Sequence, residues 1–393
     1  MAVTSYIECL PGARNVLKNC LALRSGERVL LLTAPYNTSP STIVSAGSVN
    51  WWAKTMCSSD SPSCKEALEQ MMKEILDIQL AFTSAAEELG GTVTAYTMDT
   101  RTLLGTDFKW KDADKASKLL TFLREWDIII DLTLFGLDEI PTTRKSRKLT
   151  NFREEILQGS RVRGADIHAP ARQSFVDGAM CADYVSLATE VKAFADRLKK
   201  VDTLRITGEG TDLTLNIDKN NISMGTGLIH EPESRWHFLP SGVVFAVVEK
   251  TGNFGTVRLD GPMYGVPSLK DHPLTLEIVP GIGTVGKRHL EEGSPAIIRQ
   301  LVEDMFSIQE CNFIGEIVFG LNPKGNIDSA EPMEFYTAQG SVSIAFGRND
   351  HIGGKICRSN SSSPSVHTHA LIRNATVILE NGDRLMKDGR IQK

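Results

Sequence analysis

The sequence predicts an α/β N-terminal domain with an open, mostly parallel sheet, followed by a mainly β (α+β) C-terminal domain. Between residues 26 and 170, short apolar runs alternate with longer amphipathic stretches, which is typical of strands joined by helical crossovers. Beyond residue 201 the pattern changes to period-two alternation with short turns, which indicates antiparallel strands. The 393 residues suffice for two domains of ordinary size, so we expect domains over 1–200 and 201–393.

The N-terminal domain is built from alternating strands and helices. Apolar runs predict strands over Arg28–Thr33, 92–96, 127–132 and 160–165. A helix is predicted over 65–89, because apolar residues recur there at spacings of three and four and the run ends at Gly90-Gly91. A second helix over 112–126 leads into the next strand. Since no Gly-x-Gly-x-x-Gly follows the first strand, a dinucleotide site has no support.

The C-terminal domain begins after a predicted helix over 184–200. Its alternating segments predict strands over 203–207, 211–216, 243–249, 255–260 and 273–279. One more helix, over 294–306, interrupts these strands. In the N-terminal half, the polar insert 36–63 is interpreted as a lid, an oligomer contact or a packed loop.

The composition argues against several classes of partner. The formal net charge of −5 and the pI near 6.0 leave no excess of basic residues to neutralise phosphates, so we expect a small-molecule substrate and no nucleic acid. No apolar run approaches the roughly 20 residues that span a membrane, and no basic stretch followed by a long apolar one marks a secretory signal. The seven cysteines are scattered, which favours free thiols. We therefore expect a cytoplasmic protein.

Three residues of the C-terminal domain are candidates for holding a metal ion. In a strand, His367 and His369 project to the same face, so both imidazoles could reach one ion. Glu316 lies among apolar residues, where a carboxylate is costly unless a cation or a hydrogen-bond donor meets it. The alternatives are a solvated histidine pair and a glutamate that caps a loop or pairs with an arginine.

Short motifs in the C-terminal half occur in the order found in a known family. They are the segments 235–242 (Arg-Trp-His-Phe-Leu-Pro-Ser-Gly) and 255–257, Gly315-Glu316 through Asn322-Pro323, the segments 343–347 and 353–355, and His367-Thr368-His369. On these motifs the chain resembles the superfamily of aminopeptidase T-type metallopeptidases, nearer to its 2,5-dihydroxypyridine 5,6-dioxygenase branch. The resemblance implies an aminopeptidase T-like fold with the metal in the C-terminal domain, facing the cleft between the domains, and a homodimer or higher homo-oligomer.

The ligand set separates the two branches. For the peptidases the resemblance implies two metals, held by glutamates at Glu316 and near 331–334, by a histidine at the position of Ser343, and by a His-x-Asp at 367–369. Ser343 supplies no imidazole, which argues against a two-metal centre. For the dioxygenases the resemblance implies one Fe(II), held by a histidine at the position of Glu316 and by the His-x-Asp. In this chain Glu316 takes the place of that histidine, and His369 takes the place of the aspartate. The set therefore still contains two imidazoles and one carboxylate, the facial set that suits non-haem Fe(II).

The resemblance therefore implies a mononuclear Fe(II)-dependent oxygenase that uses O₂ on a small polar aromatic or heteroaromatic substrate, with ring cleavage among its reactions. The alternative is a zinc- or manganese-dependent aminopeptidase or amide hydrolase, because two histidines and one glutamate also form a catalytic zinc site. A third alternative is a descendant that binds a ligand without turnover. Metal content is the property that distinguishes the first two.

Three residues near the predicted ligands are candidates for catalysis. Arg348 and His351, beside the turn at Gly353-Gly354, could orient the substrate or relay protons. Glu334 could serve as a base near the metal, and in the hydrolase alternative Glu331 could take that role. For Glu334 the alternative is a solvated charge in a polar loop.

Five further residues are candidates for substrate binding. Arg235, Trp236 and His237 could bind an anionic or aromatic substrate, or could simply pack as a buried tryptophan with an exposed arginine. His168 and Arg172 follow a predicted strand, at the edge of the sheet where such folds bind ligands.

Overall fold

The computed structural model describes residues 5–33, 62–98, 111–133, 137, 152–167, 171–231, 234–263, 269–329, 332–356 and 367–392. These residues form two compact units. The first comprises the described residues up to 185 together with 227–240, and the second comprises 186–226 and the described residues from 241 onward. Most of the predicted insert 36–63 lies outside the described residues.

Helices and strands alternate in the first part of the chain, and strands dominate the second. The described helices are α1 (Leu10–Asn15), α2 (Pro62–Glu88), α3 (Ala113–Arg124), α4 (Phe152–Leu157), α5 (Arg172–Val176), α6 (Tyr184–Leu198), α7 (Ala296–Ser307) and α8 (Pro332–Thr337). The described strands are β1 (Arg28–Thr33), β2 (Thr92–Thr97), β3 (Ile128–Asp131), β4 (Arg163–Asp166), β5 (Thr203–Gly208), β6 (Thr211–Gly225), β7 (Trp236–Phe238), β8 (Val243–Val248), β9 (Phe254–Leu259), β10 (Leu274–Ile278), β11 (Val285–Leu290), β12 (Ile314–Gly320), β13 (Val342–Gly347), β14 (His367–Ile372), β15 (Thr376–Leu379), β16 (Arg384–Lys387) and β17 (Arg390–Ile391).

Five of the described strands form a parallel sheet in the first unit, in the order β2-β1-β3-β4-β7. The strands β1 and β3 are almost wholly apolar and buried, as expected of parallel strands covered on both faces. Asp112 caps the N-terminus of α3, where its carboxylate accepts from the N–H groups of Asp114 and Lys115, and the helix buries Leu119 and Leu123 against the core. The predicted α/β class of this part of the chain is confirmed.

The short strand β7 was not predicted, and it completes the parallel sheet. Trp236 pairs with Gly164 of β4, and its indole belongs to the core that β1, α3 and α4 also line. A Cβ atom at position 164 would lie 2.2 Å from the indole, so only glycine leaves room for it. The segment is too short to show a period in the sequence, and its partner lies far upstream.

Twelve of the described strands form the sheet of the second unit. The main order is β14-β13-β12-β8-β6-β5-β15-β16-β17, and β9, which pairs with β6, connects β10 and β11 to it. Every pairing in this sheet is antiparallel, so the mainly β class predicted for this part is confirmed. The central strands β8 and β12 are buried along their whole length. Glu316 is the single charged side chain of these two strands.

Cys9, Cys20, Cys181 and Cys311 are free, in agreement with the prediction for these four residues. Burial raises the pKa of the Cys311 thiol to about 12, so this thiol is protonated at neutral pH. Among the described residues, no helix is both long enough and apolar enough to cross a membrane.

Candidate metal centre

Glu316, Ala345 and His369 form one row across three neighbouring strands of the second unit. Glu316 on β12 lies opposite Ala345 on β13, and Ala345 lies opposite His369 on β14. Residues directly opposite each other in an antiparallel pair project to the same face of the sheet. His367 projects to this face as well, because it is two residues from His369 on the same strand. The three predicted ligands therefore share one face, with an alanine between Glu316 and His369.

A β-bulge at Gly315 turns Glu316 toward this face. Between Ile314, which pairs with Phe346, and Glu316, strand β12 contains one residue more than β13. Regular alternation from Ile314 would send Glu316 to the opposite face of the sheet. The bulge requires a glycine, because a Cβ atom at position 315 would lie 2.6 Å from the carbonyl oxygen of Gly347.

The three side chains converge on one point. Oε1 of Glu316 lies 3.2 Å from Nε2 of His367 and 3.5 Å from Nε2 of His369. One donor atom from each residue lies within 4.8 Å of the other two. Two ligands that each lie about 2.1 Å from a common ion are about 3.0–3.4 Å apart. The spacing and the chemistry of these donors therefore suit a single metal ion.

A main-chain contact sets the tautomer of His367. Its Nδ1 lies 2.9 Å from the carbonyl oxygen of Arg348, and because a carbonyl can only accept, Nδ1 carries the proton and donates. In the neutral ring, Nε2 then has the free lone pair, and this atom faces Glu316. Metal-binding histidines commonly show this arrangement, in which a carbonyl fixes the ring through its other nitrogen.

The burial of Glu316 calls for positive charge nearby. The carboxylate is 0% exposed, and a buried carboxylate is stable only when a cation or donors compensate it. Burial alone would lower the pKa of His367, but the charge of Glu316 and the hydrogen bonds of His367 to Glu316 and to the Arg348 carbonyl outweigh it, so the pKa is raised. A proton on His367 or a metal ion would supply the charge, and the two exclude each other at Nε2.

Aromatic side chains cover the ligand face beside His369. Tyr336 of α8 stacks on the His369 imidazole, with ring centroids 4.8 Å apart and planes inclined by 28°. Phe245 of β8 contacts Tyr336 edge to face, at a centroid distance of 6.3 Å. Both aromatic residues are buried. They limit the rotation of His369 and reduce the access of water to it.

Small side chains lie along β13 beneath this cover. Ser343, Ala345 and Gly347 alternate along the strand and therefore share the ligand face. Ser343 is 0% exposed, and its hydroxyl oxygen makes no hydrogen bond within the described part of the chain. These residues leave room beside the three donors, whereas large side chains would fill it.

The three predicted catalytic residues all belong to the same unit as the ligands. The guanidinium of Arg348 makes a two-pronged pair with Asp350, at 2.6 and 3.0 Å, while its carbonyl oxygen accepts from His367. Glu334 is buried on α8 and accepts from the N–H of Asn326 at 3.2 Å, which differs from the solvated loop position considered above. For His351 only the main chain is described, in a short 3₁₀ turn.

The predicted substrate-binding group at 235–237 lies in the first unit. Arg235 donates to the carbonyl oxygens of Leu157, the last residue of α4, and of Ser160, at 3.0 and 2.7 Å. Trp236 is buried in the core of the parallel sheet. The burial of Trp236 favours the packing alternative for this residue, whereas Arg235 is half-buried and not exposed as that alternative had it. His237 is partly buried, and its Nδ1 lies 3.2 Å from the carbonyl oxygen of Phe238.

The predicted residues at the strand ends are only partly described. His168 lies outside the described residues. Arg172 begins α5, where its guanidinium contacts Glu8, donates to the Ser5 carbonyl at 2.9 Å, and lies 3.7 Å from Asp77. These contacts tie α5 to the first residues of the chain and to α2. A role of Arg172 in substrate binding stays a prediction.

Two residues at the site were not predicted from the sequence. Tyr336 lies in a short helix without a clear period, so nothing indicated that its ring would stack on His369. Asn349 is buried next to Arg348, but an asparagine in a Gly-rich stretch is typical of a turn. The stretch 347–354 contained a usable signal, since it combines Asn349 with Arg348 and His351 between the motif 343–347 and the predicted strand of His367 and His369.

Comparison with known proteins agrees with this architecture. No family model matches the sequence, and no curated protein matches it. Among solved structures, the fold is similar to that of 2,5-dihydroxypyridine dioxygenase from Pseudomonas putida KT2440, with a TM-score of 0.65, 17% identity, and coverage of 99% of this chain and 98% of that one. It is also similar to wild-type AmpT from Thermus thermophilus, with a TM-score of 0.56, 15% identity, and coverage of 99% and 100%. At such identities the likeness is one of fold, and the predicted aminopeptidase T-like, two-domain fold is thereby confirmed.

Proposed function

We propose that this chain is an enzyme that holds one divalent metal ion on Glu316, His367 and His369. The observation that carries the proposal is the convergence of one carboxylate oxygen and two imidazole nitrogens at 3.2 and 3.5 Å on a buried sheet face. The tautomer of His367 supports it, since the nitrogen that faces Glu316 is the one with a free lone pair.

The preferred metal is Fe(II), and the preferred reaction is an oxygenation. Two histidines and one carboxylate form a facial set that leaves positions for substrate and O₂ on the metal. The solved structure with the TM-score of 0.65 is named as a dioxygenase of 2,5-dihydroxypyridine, a polar heteroaromatic ring. We therefore assign a small polar aromatic or heteroaromatic substrate, with ring cleavage among the reactions to be tested.

Each residue around the proposed metal site would have its own role. Glu316 supplies the negative charge, and His367 is held in orientation by the Arg348 carbonyl. Tyr336 limits the rotation of His369 and, together with Phe245, keeps bulk water from this side. In dry surroundings electrostatic interactions with a bound substrate are strong. The cytoplasmic location and the homo-oligomer stay predictions.

The second candidate is a zinc- or manganese-dependent aminopeptidase or amide hydrolase. Two observations favour it: the same three donors form a catalytic zinc site, and Glu334 is a buried carboxylate on α8, the helix whose Tyr336 stacks on His369. In a hydrolase, Glu334 would accept a proton from water. The solved structure of AmpT has the same fold.

Metal analysis of protein purified without oxygen tests the two candidates. We expect about one iron per chain, and O₂ consumption with dihydroxylated pyridines or benzenes. Zinc content with hydrolysis of aminoacyl anilides, and no O₂ consumption, would favour the hydrolase. His367→Ala should lose the metal, whereas His230→Ala should keep it, because His230 also contacts a carbonyl oxygen through Nδ1 but lies in the other unit. Metal retained by Glu316→Ala and by His367→Ala would refute both candidates.

A further inference from the structure

Asn349 connects three segments of main chain next to the predicted ligands. The residue follows Arg348 and is 1% exposed. Its Nδ2 donates to the carbonyl oxygen of Gly315 at 2.7 Å and lies 3.4 Å from that of Val248, while its Oδ1 accepts from the N–H of Ile356 at 2.8 Å. A buried amide satisfied in this way fixes its partners relative to one another.

The bond to Gly315 fixes the peptide group that leads into Glu316. The carbonyl of Gly315 and the N–H of Glu316 belong to one planar unit, so holding the oxygen holds the plane. This unit lies in the bulge that turns Glu316 toward the ligand face. Because a bulge interrupts the regular ladder, a donor from outside the ladder has a large influence on its geometry.

The bonds to Ile356 fix a second peptide group. The carbonyl of Arg348, which accepts from His367, shares a planar unit with the N–H of Asn349. This N–H donates to the carbonyl oxygen of Ile356 at 2.9 Å, and Oδ1 of Asn349 accepts from the N–H of the same residue. The direction of the Arg348 carbonyl, and with it the plane of the His367 ring, therefore depends on Asn349.

We propose that Asn349 is a positioning residue of the metal centre, which sets the geometry of Glu316 and of His367 together. The inference rests on the proposed function, since it presupposes that these residues bind an ion. Asn349 does not touch the donors itself. It acts through two peptide groups, the one that leads into Glu316 and the one whose carbonyl accepts from His367, so that both ligands are placed before the ion binds.

The substitution Asn349→Asp tests the link with little change in shape. It retains the oxygen that accepts from the N–H of Ile356 and removes the N–H that donates to the Gly315 carbonyl. The bulge therefore loses its hydrogen bond from residue 349, while the bond to Ile356 remains. We expect Co²⁺ to bind to the metal-free variant about 10–100-fold more weakly than to wild type, the usual range for residues that orient ligands. We also expect the visible absorption of the Co²⁺ protein to change, because its bands report the ligand geometry.

The matched control is Asn253→Asp in the same unit. Asn253 is also 1% exposed, donates from Nδ2 to the Glu249 carbonyl at 2.6 Å, and accepts from the N–H of Asn216 at 2.9 Å. A loss of stability from a buried aspartate should therefore be similar in both variants. The Co²⁺ affinity and spectrum should change in Asn349→Asp alone.

Wild-type affinity and spectrum in Asn349→Asp and Asn349→Ala would overturn the inference and leave the proposed function intact. Co²⁺ binding that is unaffected by His367→Ala would overturn both. If neither Asn349 variant folds, hydrogen exchange of the wild-type protein decides. Co²⁺ should then slow the amides of Glu316 and Ile356 together, and slowing confined to β14 would refute the inference.

Discussion

Glu316 is the residue on which the proposed metal site depends most. Its carboxylate is 0% exposed, and its Oε1 is the atom that lies within 3.5 Å of both imidazoles. Glu316→Gln keeps the shape and removes the charge, so we expect metal affinity to fall by more than about 100-fold, beyond the effect of losing an orienting residue. Calorimetric titration of the metal-free protein with Zn²⁺ measures this change.

The same substitution should leave the metal-free fold intact. Above the raised pKa of His367 the ring is neutral and no longer offsets the buried carboxylate. A neutral amide is less costly to bury than a carboxylate, so at such a pH the thermal unfolding temperature of metal-free Glu316→Gln should equal or exceed that of wild type. A variant that unfolds well below wild type at this pH, in the absence of metal, would contradict this account of the residue.

His367 should make metal binding dependent on pH. Its pKa is raised in the metal-free protein, where burial opposes the charged ring and the charge of Glu316 favours it more strongly. The pair with Glu316 therefore stabilises the metal-free protein fully below the ordinary histidine pKa of about 6.5, and this contribution is lost as the pH rises through the raised value. A metal ion must displace the proton.

Zn²⁺ should accordingly raise the unfolding temperature more at about pH 8 than at about pH 6, because at the lower pH the ion competes with the proton on His367. Differential scanning calorimetry with and without Zn²⁺ measures the two shifts. His367→Ala should show little shift at either pH. Equal shifts in the wild-type protein at both values would argue against His367 as a ligand.

At the scale of single residues, sequence alone indicated the three donors but few of their neighbours. His367 and His369 could be predicted because a strand places alternate residues on one face. Glu316 could be predicted because it is a lone charge in an apolar run. Tyr336 and Asn349 could not, since their roles depend on a ring contact and on hydrogen bonds between segments that are distant in the sequence.

Among the elements, β13 separates the strands that carry the donors and keeps room between them. Ala345 lies between Glu316 and His369 in the row, and it is fully buried. Ala345→Leu would fill this space, with an overpacking cost of about 1–3 kcal/mol. We expect Zn²⁺ affinity to fall by at least about tenfold, since a misplaced ligand costs as much as a lost orienting contact.

Ala246→Leu is the control for this prediction. Ala246 is equally buried on β8 but pairs with Ile317, which projects to the opposite face from Glu316. Urea denaturation should give a similar loss of stability for both variants, while isothermal titration should show weakened Zn²⁺ binding for Ala345→Leu alone. Equal affinities in the two variants would show that the space beside the donors is unimportant.

The elements themselves were predicted where the local pattern is strong. The strand β1 was predicted with its observed bounds because an uninterrupted apolar run marks a buried parallel strand. For β6 the prediction ended at residue 216, whereas the strand continues to Gly225 across a register shift. The bulge at Gly315 was also invisible, because it is defined by the pairing with β13.

For the whole molecule, the change from alternating apolar and amphipathic stretches to period-two alternation predicted an α/β part followed by a mainly β part. It did not predict that 227–240 would return to the first unit. That return depends on Trp236, which fills the core above Gly164 from far downstream in the chain. Long-range packing of this kind leaves no periodic signal in a single sequence.

Trp236 should therefore be needed for the stability of the first unit and not for metal binding. Trp236→Ala should destabilise this unit by about 3–5 kcal/mol, as expected for a large buried aromatic side chain. At temperatures where the variant remains folded, its Zn²⁺ affinity should match that of wild type, because the described donors and their contacts lie in the second unit.

Guanidinium denaturation, followed by tryptophan fluorescence, and Zn²⁺ titration measure the two quantities. Tyr96→Ala is the control, since Tyr96 lies in the same sheet but is 39% exposed and should cost little. Loss of Zn²⁺ affinity in folded Trp236→Ala would instead assign this residue a part in the site.

The strand β14, which supplies both imidazoles, is the last in the order of its sheet, and beyond it the described chain adds a single bridge, between Ala370 and Met263. An ion bound by residues of both β12 and β14 would link these strands across two interstrand spacings, roughly 9.6 Å, and so stabilise this edge of the sheet. A chelator that removes this ion would let the strand pairs at the edge open, expose their main-chain groups to neighbouring molecules, and promote aggregation during storage.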